Sequence, residues 1–137
     1  MKQKKKSLLQ KKIEDENSKL WRNKADKLWK LIVHLEYNNK CAICGSIEYV
    51  QAHHLIPREM LSHRHIIQNG VILCCSHHKY SFEISPHKAP VAFFKWLIEH
   101  DENKWKWLLE QKPSRDIIIS YKDIVNMLKI YMNKKGD

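Results

Sequence analysis

Two ligand pairs set thirty residues apart constrain this chain more than any other feature. Cys41-x-x-Cys44 is followed by Gly45, and Cys74-x-x-His77 repeats the same interval. Two thiolates at that spacing can grip one tetrahedral zinc, and a glycine directly after them lets the backbone turn beneath the ion. The second pair closes the coordination sphere. The expected structural zinc site is therefore Cys41, Cys44, Cys74 and His77, with Cys75 as the one alternative ligand for Cys74 or His77. All four cysteines fall within residues 41–75, beside an unusual total of nine histidines. Such clustering in a reducing compartment points to metal and not to disulfides. A redox Cys-x-x-Cys would need a different strand–helix setting.

A closed zinc site matters for a chain of 137 residues, because one modest core benefits from a metal staple. Hydrophobic residues make up 43% and charged residues 29%, which places the chain among globular proteins and not disordered ones. No apolar run is long enough to span a bilayer, and the start, Met1-Lys2-Gln3-Lys4-Lys5-Lys6, lacks an apolar signal core. The expected location is cytoplasmic, away from membranes. Net charge is +10, of which +7 lies in residues 1–40. A basic arm suits a polyanion, most often nucleic acid, although a Lys-rich helix face can also serve solubility alone.

Three segments of one domain follow from the pattern. Residues 1–39 form a basic arm and helix, residues 40–90 a turn-rich core around the ligand pairs, and residues 91–137 a set of C-terminal helices. Trp21, Ala25, Leu28, Ile32 and Leu35 make one apolar stripe, so a single long helix is expected over 7–38, ended by Asn38-Asn39. Trp21 and Trp29 read as core residues. Residues 49–53 and 70–74 read as short strands, and 76–82 as a short helix. Pro90 opens a helix carrying Phe93, Phe94, Trp96, Leu97 and Ile98, and Asp101 caps a continuation through Leu109. Ser120 and Asp123 resemble a capping box for a last helix ending near Met132, and the Lys-rich ends, 1–6 and 134–137, are expected to fray. The class is α+β and helix-rich.

Within the middle segment, His53-His54, Asn69 and His78 follow in order. Hydrolysis of a phosphodiester needs a water made nucleophilic and a cation facing the developing charge. Adjacent strand residues point to opposite faces, so one of His53 and His54 can face a metal while the other faces a water. Asn69 can hold the base through an amide hydrogen bond, and His78 can complete the metal side from the helix that follows.

The runs Cys41-x-x-Cys44-Gly45, Ala52-His53-His54-Leu55-Ile56-Pro57-Arg58, Asn69-Gly70-Val71-Ile72-Leu73-Cys74 and His77-His78-Lys79 resemble the HNH endonuclease family, whose fold is the ββα-metal motif. The likeness spans about residues 40–90 and is greatest to zinc-containing phage or prophage members. It implies a metal-dependent DNA endonuclease. By position it assigns His53 and His78 to a divalent catalytic ion, His54 to the general base and Asn69 to its orientation. A further histidine ligand would be His87, at a longer interval from His78 than in colicin-type DNases. Arg58 and Arg64, in the loop between the strands, could hold the phosphate, and Lys79 could touch it. His63 and His65 read as solvated, and His34 and His100 as structural. An all-histidine ligand set suits Mn²⁺, Ni²⁺ or Zn²⁺, with Mg²⁺ also admissible. The implied partners are DNA and, in a phage setting, a packaging or recombination protein. The competing expectation is a non-catalytic zinc knuckle that binds DNA or protein. It accounts for Cys41, Cys44, Cys74, His77 and the basic arm, but not for the accompanying histidines.

Overall fold

A computed structural model describes residues 5–81 and 83–135 of the chain. Its centre is a two-stranded antiparallel sheet, β1 (Val50–His54) and β2 (Gly70–Cys74), paired from Val50 opposite Cys74 to His54 opposite Gly70. Every residue of β2 is buried. From Val71 to Leu73 its side chains alternate between two cores, as a strand covered on both faces requires. Val71 and Leu73 join Cys41, Leu55, Phe93 and Leu97 on one side, while Ile72 joins Trp29, Ile32, Val33 and Leu128 on the other.

Helices supply both covers. The N-terminal region forms α1 (Leu8–Glu14) and α2 (Lys19–Glu36), not one continuous helix over 7–38. The break falls at Asp15-Glu16-Asn17-Ser18, where short polar side chains bond the backbone locally. Asp15 Oδ1 accepts from Asn17 N–H at 3.0 Å, and Ser18 Oγ donates to the Lys12 carbonyl at 2.6 Å. The apolar stripe also turns relative to expectation. Ala25, Trp29, Ile32 and Val33 are buried, whereas Leu35 is half exposed. The helix ends at a turn in which Asn38 and Asn39 both take positive φ, a conformation asparagine tolerates.

On the other side lie α3 (Pro90–His100) and α4 (Glu102–Glu110). Asp101 accepts from Lys104 N–H at 3.2 Å, so it caps α4 as expected. Lys104 in turn donates to the Gln68 and Gly70 carbonyls at 2.8 and 3.0 Å, tying α4 to the start of β2. The last helix, α5 (Tyr121–Lys135), packs on α2 and runs past Met132. The expected capping contact is present, with Ser120 Oγ accepting from Asp123 N–H at 3.1 Å. Of the ends expected to fray, 1–6 and 134–137, Lys134 and Lys135 instead belong to α5, and residues 1–4 and 136–137 lie outside the described residues. Among those described, no helix is long and apolar enough to cross a membrane.

Gly70 is where sheet and helix approach most closely. A Cβ there would sit 2.5 Å from Val33 Cγ2 and 2.9 Å from Trp29 Cζ2. Both are core atoms with no room to withdraw. Gly70→Ala is therefore expected to destabilise the fold by about 1–3 kcal/mol through overpacking. Urea unfolding checks this, and an unchanged midpoint would contradict the packing described.

Candidate functional site

The first cluster forms where α2 hands the chain to the sheet. The Cys41 carbonyl accepts from Gly45 N–H at 2.8 Å, and Gly45 takes a φ of 73° to make that turn. Ala42 N–H donates to the Ile72 carbonyl at 2.8 Å, which docks the turn against β2. Cys74 ends β2, and His77 follows on a wide π-helical turn, Ser76–Tyr80, closed by Ser81 N–H donating to the Ser76 carbonyl at 2.7 Å. Such widened turns are frequent at functional sites. The expectation of a helix over 76–82 is met only by this single turn, and Phe82 lies outside the described residues.

The ligand atoms of Cys41, Cys44, Cys74 and His77 all lie within 4.8 Å of one another. Cys44 Sγ and Cys74 Sγ are 3.8 Å apart, and Cys41 Sγ and His77 Nδ1 are 3.6 Å apart. A tetrahedral ion with bonds of about 2.3 Å to sulfur and about 2.0 Å to nitrogen has edges of about that length. The remaining close edge, Cys74 Sγ to His77 Nδ1, is 3.2 Å. The cluster can thus hold a metal ion such as zinc, with His77 offering Nδ1. Burial alone would raise the Cys41 thiol. Backbone N–H groups of Cys44, Cys74 and Ile43 outweigh it, with help from His77, and bring the thiol down to about 7. Burial holds Cys74 above its ordinary value, and Cys41 beside it adds to the shift. A cation between them would favour the ionised form of both. Cys75 points elsewhere, with its Sγ 3.4 Å from the Tyr49 carbonyl.

The second cluster begins one residue later. His77 turns toward the thiols and His78, next on the same turn, toward His53 of β1 and His87 of the loop before α3. Buried Ser85 shapes that loop. Its hydroxyl donates to the Ser81 carbonyl at 2.7 Å, and its carbonyl accepts from Ala89 N–H at 2.7 Å. His78 Nε2 lies 2.9 Å from His53 Nδ1 and 3.0 Å from His87 Nε2. Neighbouring ligands on an octahedral ion with bonds of about 2.1 Å are separated by about 3 Å, so the three nitrogens suit one divalent cation. Burial, then the neighbouring histidines, pushes His53 down to about 3. Burial, then His87 and Lys79, pushes His78 down to about 4. Both are neutral at neutral pH and present lone pairs. His78 Nδ1 sits 3.2 Å from Gln51 Oε1, so Gln51 accepts from it and fixes the tautomer that leaves Nε2 for the cluster.

His54 points away from the triad, against α2. Its ring stacks on Trp29 at 3.9 Å with an interplanar angle of 8°, and its Nε2–H donates to the Arg64 carbonyl at 2.9 Å. Nδ1 is then the acceptor nitrogen. Burial lowers His54 to about 4. Asn69 is fully buried but does not hold the imidazole through its amide. Its Oδ1 accepts from Ile56 N–H at 2.6 Å, and its Nδ2 donates to the Ile56 and His63 carbonyls at 3.0 and 3.1 Å. It braces the loop that carries Arg64. Nor are His63 and His65 solvated. Both are buried, His63 between Ser62 and Gln111, and His65 against Asp26.

His53, His54, His78 and His87 line one cleft of about 790 Å³. Lys30 and His34 of α2, Arg58, Arg64 and Lys79 face it as well, together with Asp26 and Glu59. Arg58 is exposed, 3.8 Å from Glu59, whereas the Nε and Nη2 of Arg64 are both engaged by Asp26 at 2.9 Å. Sequence reasoning missed Asp26, Gln51 and Lys30, and placed Trp29 only in the core. Asp26 and Trp29, three apart on one helix face, were the available signal.

The arrangement defines an α+β protein with a Cys/His cluster able to bind a metal ion. Compared with protein-family models, with curated proteins and with solved structures, the chain matches none. If the thiolate cluster holds zinc, Cys41→Ala should lose the ion and lower folding stability, because binding free energy at such a site is folding free energy. Elemental analysis of chelator-free protein should give one tightly held zinc per chain in the parent. Less than half an equivalent in a normally folded parent would contradict the assignment.

Proposed function

We propose that this chain is a metal-dependent DNA endonuclease of the HNH type, built on a ββα-metal arrangement and braced by a structural zinc. The observation that carries the reading is the convergence of His53, His78 and His87 at one point of a cleft that also contains His54. A zinc knuckle serving only as a binding module has no need of a second ligand set. The order of parts supports the same reading: strand with His53-His54, Asn69, strand, then helical turn with His78.

The triad would hold the divalent ion through neutral imidazole nitrogens, a donor set suited to Mn²⁺, Ni²⁺ or Zn²⁺ and compatible with Mg²⁺. When bound, that ion supplies positive charge to the scissile phosphate and the leaving 3′ oxygen. The chain's own residues do the rest. His54, anchored through Nε2–H, presents Nδ1 to take a proton from the attacking water. Its lowered pKa keeps it neutral and ready at working pH. Asn69 acts on the base through the loop it braces. Lys30, Arg58 and Lys79 line the cleft with cationic side chains that suit a phosphate backbone, and the unengaged part of the Arg64 fork can add to them.

Nicking of supercoiled plasmid with Mn²⁺ or Mg²⁺, with and without chelator, tests the reading. His54→Ala should bind DNA and metal like the parent yet cut about 10²–10⁴-fold more slowly. His53→Ala and His78→Ala should also lose cutting, but excess metal should partly restore these two and not His54→Ala. Parental nicking by a folded His54→Ala protein would remove the base assignment, and no nicking by the parent in any of these metals would remove the enzyme. The acid limb gives a second check. A base loses activity as pH falls through its pKa, and burial lowers that of His54 from 6.5 to about 4. The cutting rate at saturating metal should therefore stay level from about pH 8 down to about pH 6. A loss centred near 6.5 would contradict the buried, neutral base.

A further inference from the structure

The imidazole of His54 is oriented by a backbone carbonyl, and that carbonyl belongs to a loop, where backbone is ordinarily free to move. What immobilises this loop is unusual in its density. His63 is held by its carbonyl, which accepts from Asn69 Nδ2 at 3.1 Å. Arg64 is held by its side chain, which donates from Nε and Nη2 to the two oxygens of Asp26, each at 2.9 Å. His65 is held by its side chain, whose Nε2–H donates to Asp26 Oδ1 at 2.6 Å. Ile66 is held by its carbonyl, which accepts from Trp29 Nε1–H at 2.8 Å. Four consecutive residues are thus pinned, two of them by a single carboxylate on α2.

The Arg64 carbonyl lies in the peptide plane between residues 64 and 65. A peptide plane can swing about its flanking Cα atoms unless both neighbours are fixed. Asp26 fixes both neighbours at once. We propose that Asp26 is a positioning residue for His54: by clamping the Arg64 and His65 side chains to α2, it fixes the carbonyl that sets the tautomer and orientation of the His54 imidazole. The inference rests on the functional reading above only for its consequence in catalysis. The geometric claim stands without it. Two further features agree. Trp29, one helical turn beyond Asp26, stacks on the same imidazole, so one face of α2 holds both the ring and its anchor. Arg64 and His65, with burial opposing them, hold the Asp26 carboxyl well below the usual carboxylate range, so the clamp stays charged.

The test compares the zinc-loaded full chain with Asp26→Asn, which keeps the volume and removes the charge and one acceptor, and with Arg64→Gln, which opens the same pair from the loop. Nitrogen-15 correlation spectra of the histidine rings, with Mg²⁺ as the added divalent ion, read the tautomer directly. The parent should show His54 as a single Nε2–H tautomer. Both variants should show it as an exchanging mixture, with zinc content unchanged. In plasmid nicking with Mn²⁺, kcat of Asp26→Asn should fall about tenfold to a hundredfold while KM for DNA and the metal requirement stay put, as for loss of alignment and not of binding; Arg64→Gln, which also removes a cation from the cleft, is read by its tautomer alone. A fixed Nε2–H tautomer in a folded Asp26→Asn protein would overturn the proposal, whatever the activity. If the parent does not nick, the nuclease reading fails, and the tautomer comparison still decides the role of Asp26.

Discussion

The pairing of Val50 with Cys74, continued to His54 opposite Gly70, is the constraint on which the rest of the site depends. It sets the two short strands so that Cys74 emerges at one end of the sheet and His53 and His54 at the other, on opposite faces, His53 toward His78 and His54 toward Trp29 of α2. A shift of one residue would exchange the faces of His53 and His54 and turn Ile72 out of its core. The register is held from both sides. Val71 and Leu73 are buried against α3, Ile72 is buried against α2 and α5, and Gly70 admits Trp29 and Val33 where a side chain would not fit.

From that register the two clusters become neighbours of different make-up. His77 and His78 are consecutive, yet the π-helical turn sends one to the thiols and the other to the histidines. The cysteine–histidine cluster offers four side chains, which would close a tetrahedral ion and leave no position for chemistry. The histidine cluster has three and opens onto the cleft. Metal at the first would fix the turn that aims His78 at the second. In our proposal that is how a structural zinc serves a catalytic centre without taking part in it.

Those parts of the site set by local spacing were legible in the sequence. The quartet Cys41, Cys44, Cys74 and His77 is legible because ligand intervals encode coordination. The bounds of β2 are legible because a continuous apolar run ends at a glycine and a cysteine. β1 begins at Val50, one residue later than the pattern suggests, since Tyr49 takes a positive φ. The break between α1 and α2 was marked by Asp15, Asn17 and Ser18, but the apolar periodicity around them suggests a single helix. Long-range contacts were not legible. Nothing near Asp26 indicates that it meets Arg64 and His65, thirty-eight and thirty-nine residues away. His63 and His65 sit in a polar stretch, and only the fold buries them. Asn69 carries the expected residue type but acts one step removed, on the loop and not on the ring.

One hairpin thus gathers two clusters able to hold a metal ion, one sulfur-rich and closed, one all-imidazole and open. Stepwise addition of Co²⁺ to metal-free protein, followed by visible absorption, distinguishes two sites from one. The first equivalent should produce the intense thiolate-to-metal band and tetrahedral d–d transitions of a Cys3His site. A second equivalent should then bind without further thiolate absorption, and His53→Ala together with His78→Ala should abolish that second step alone. Saturation at one equivalent, or a second equivalent that also draws on the thiols, would contradict the two-site account.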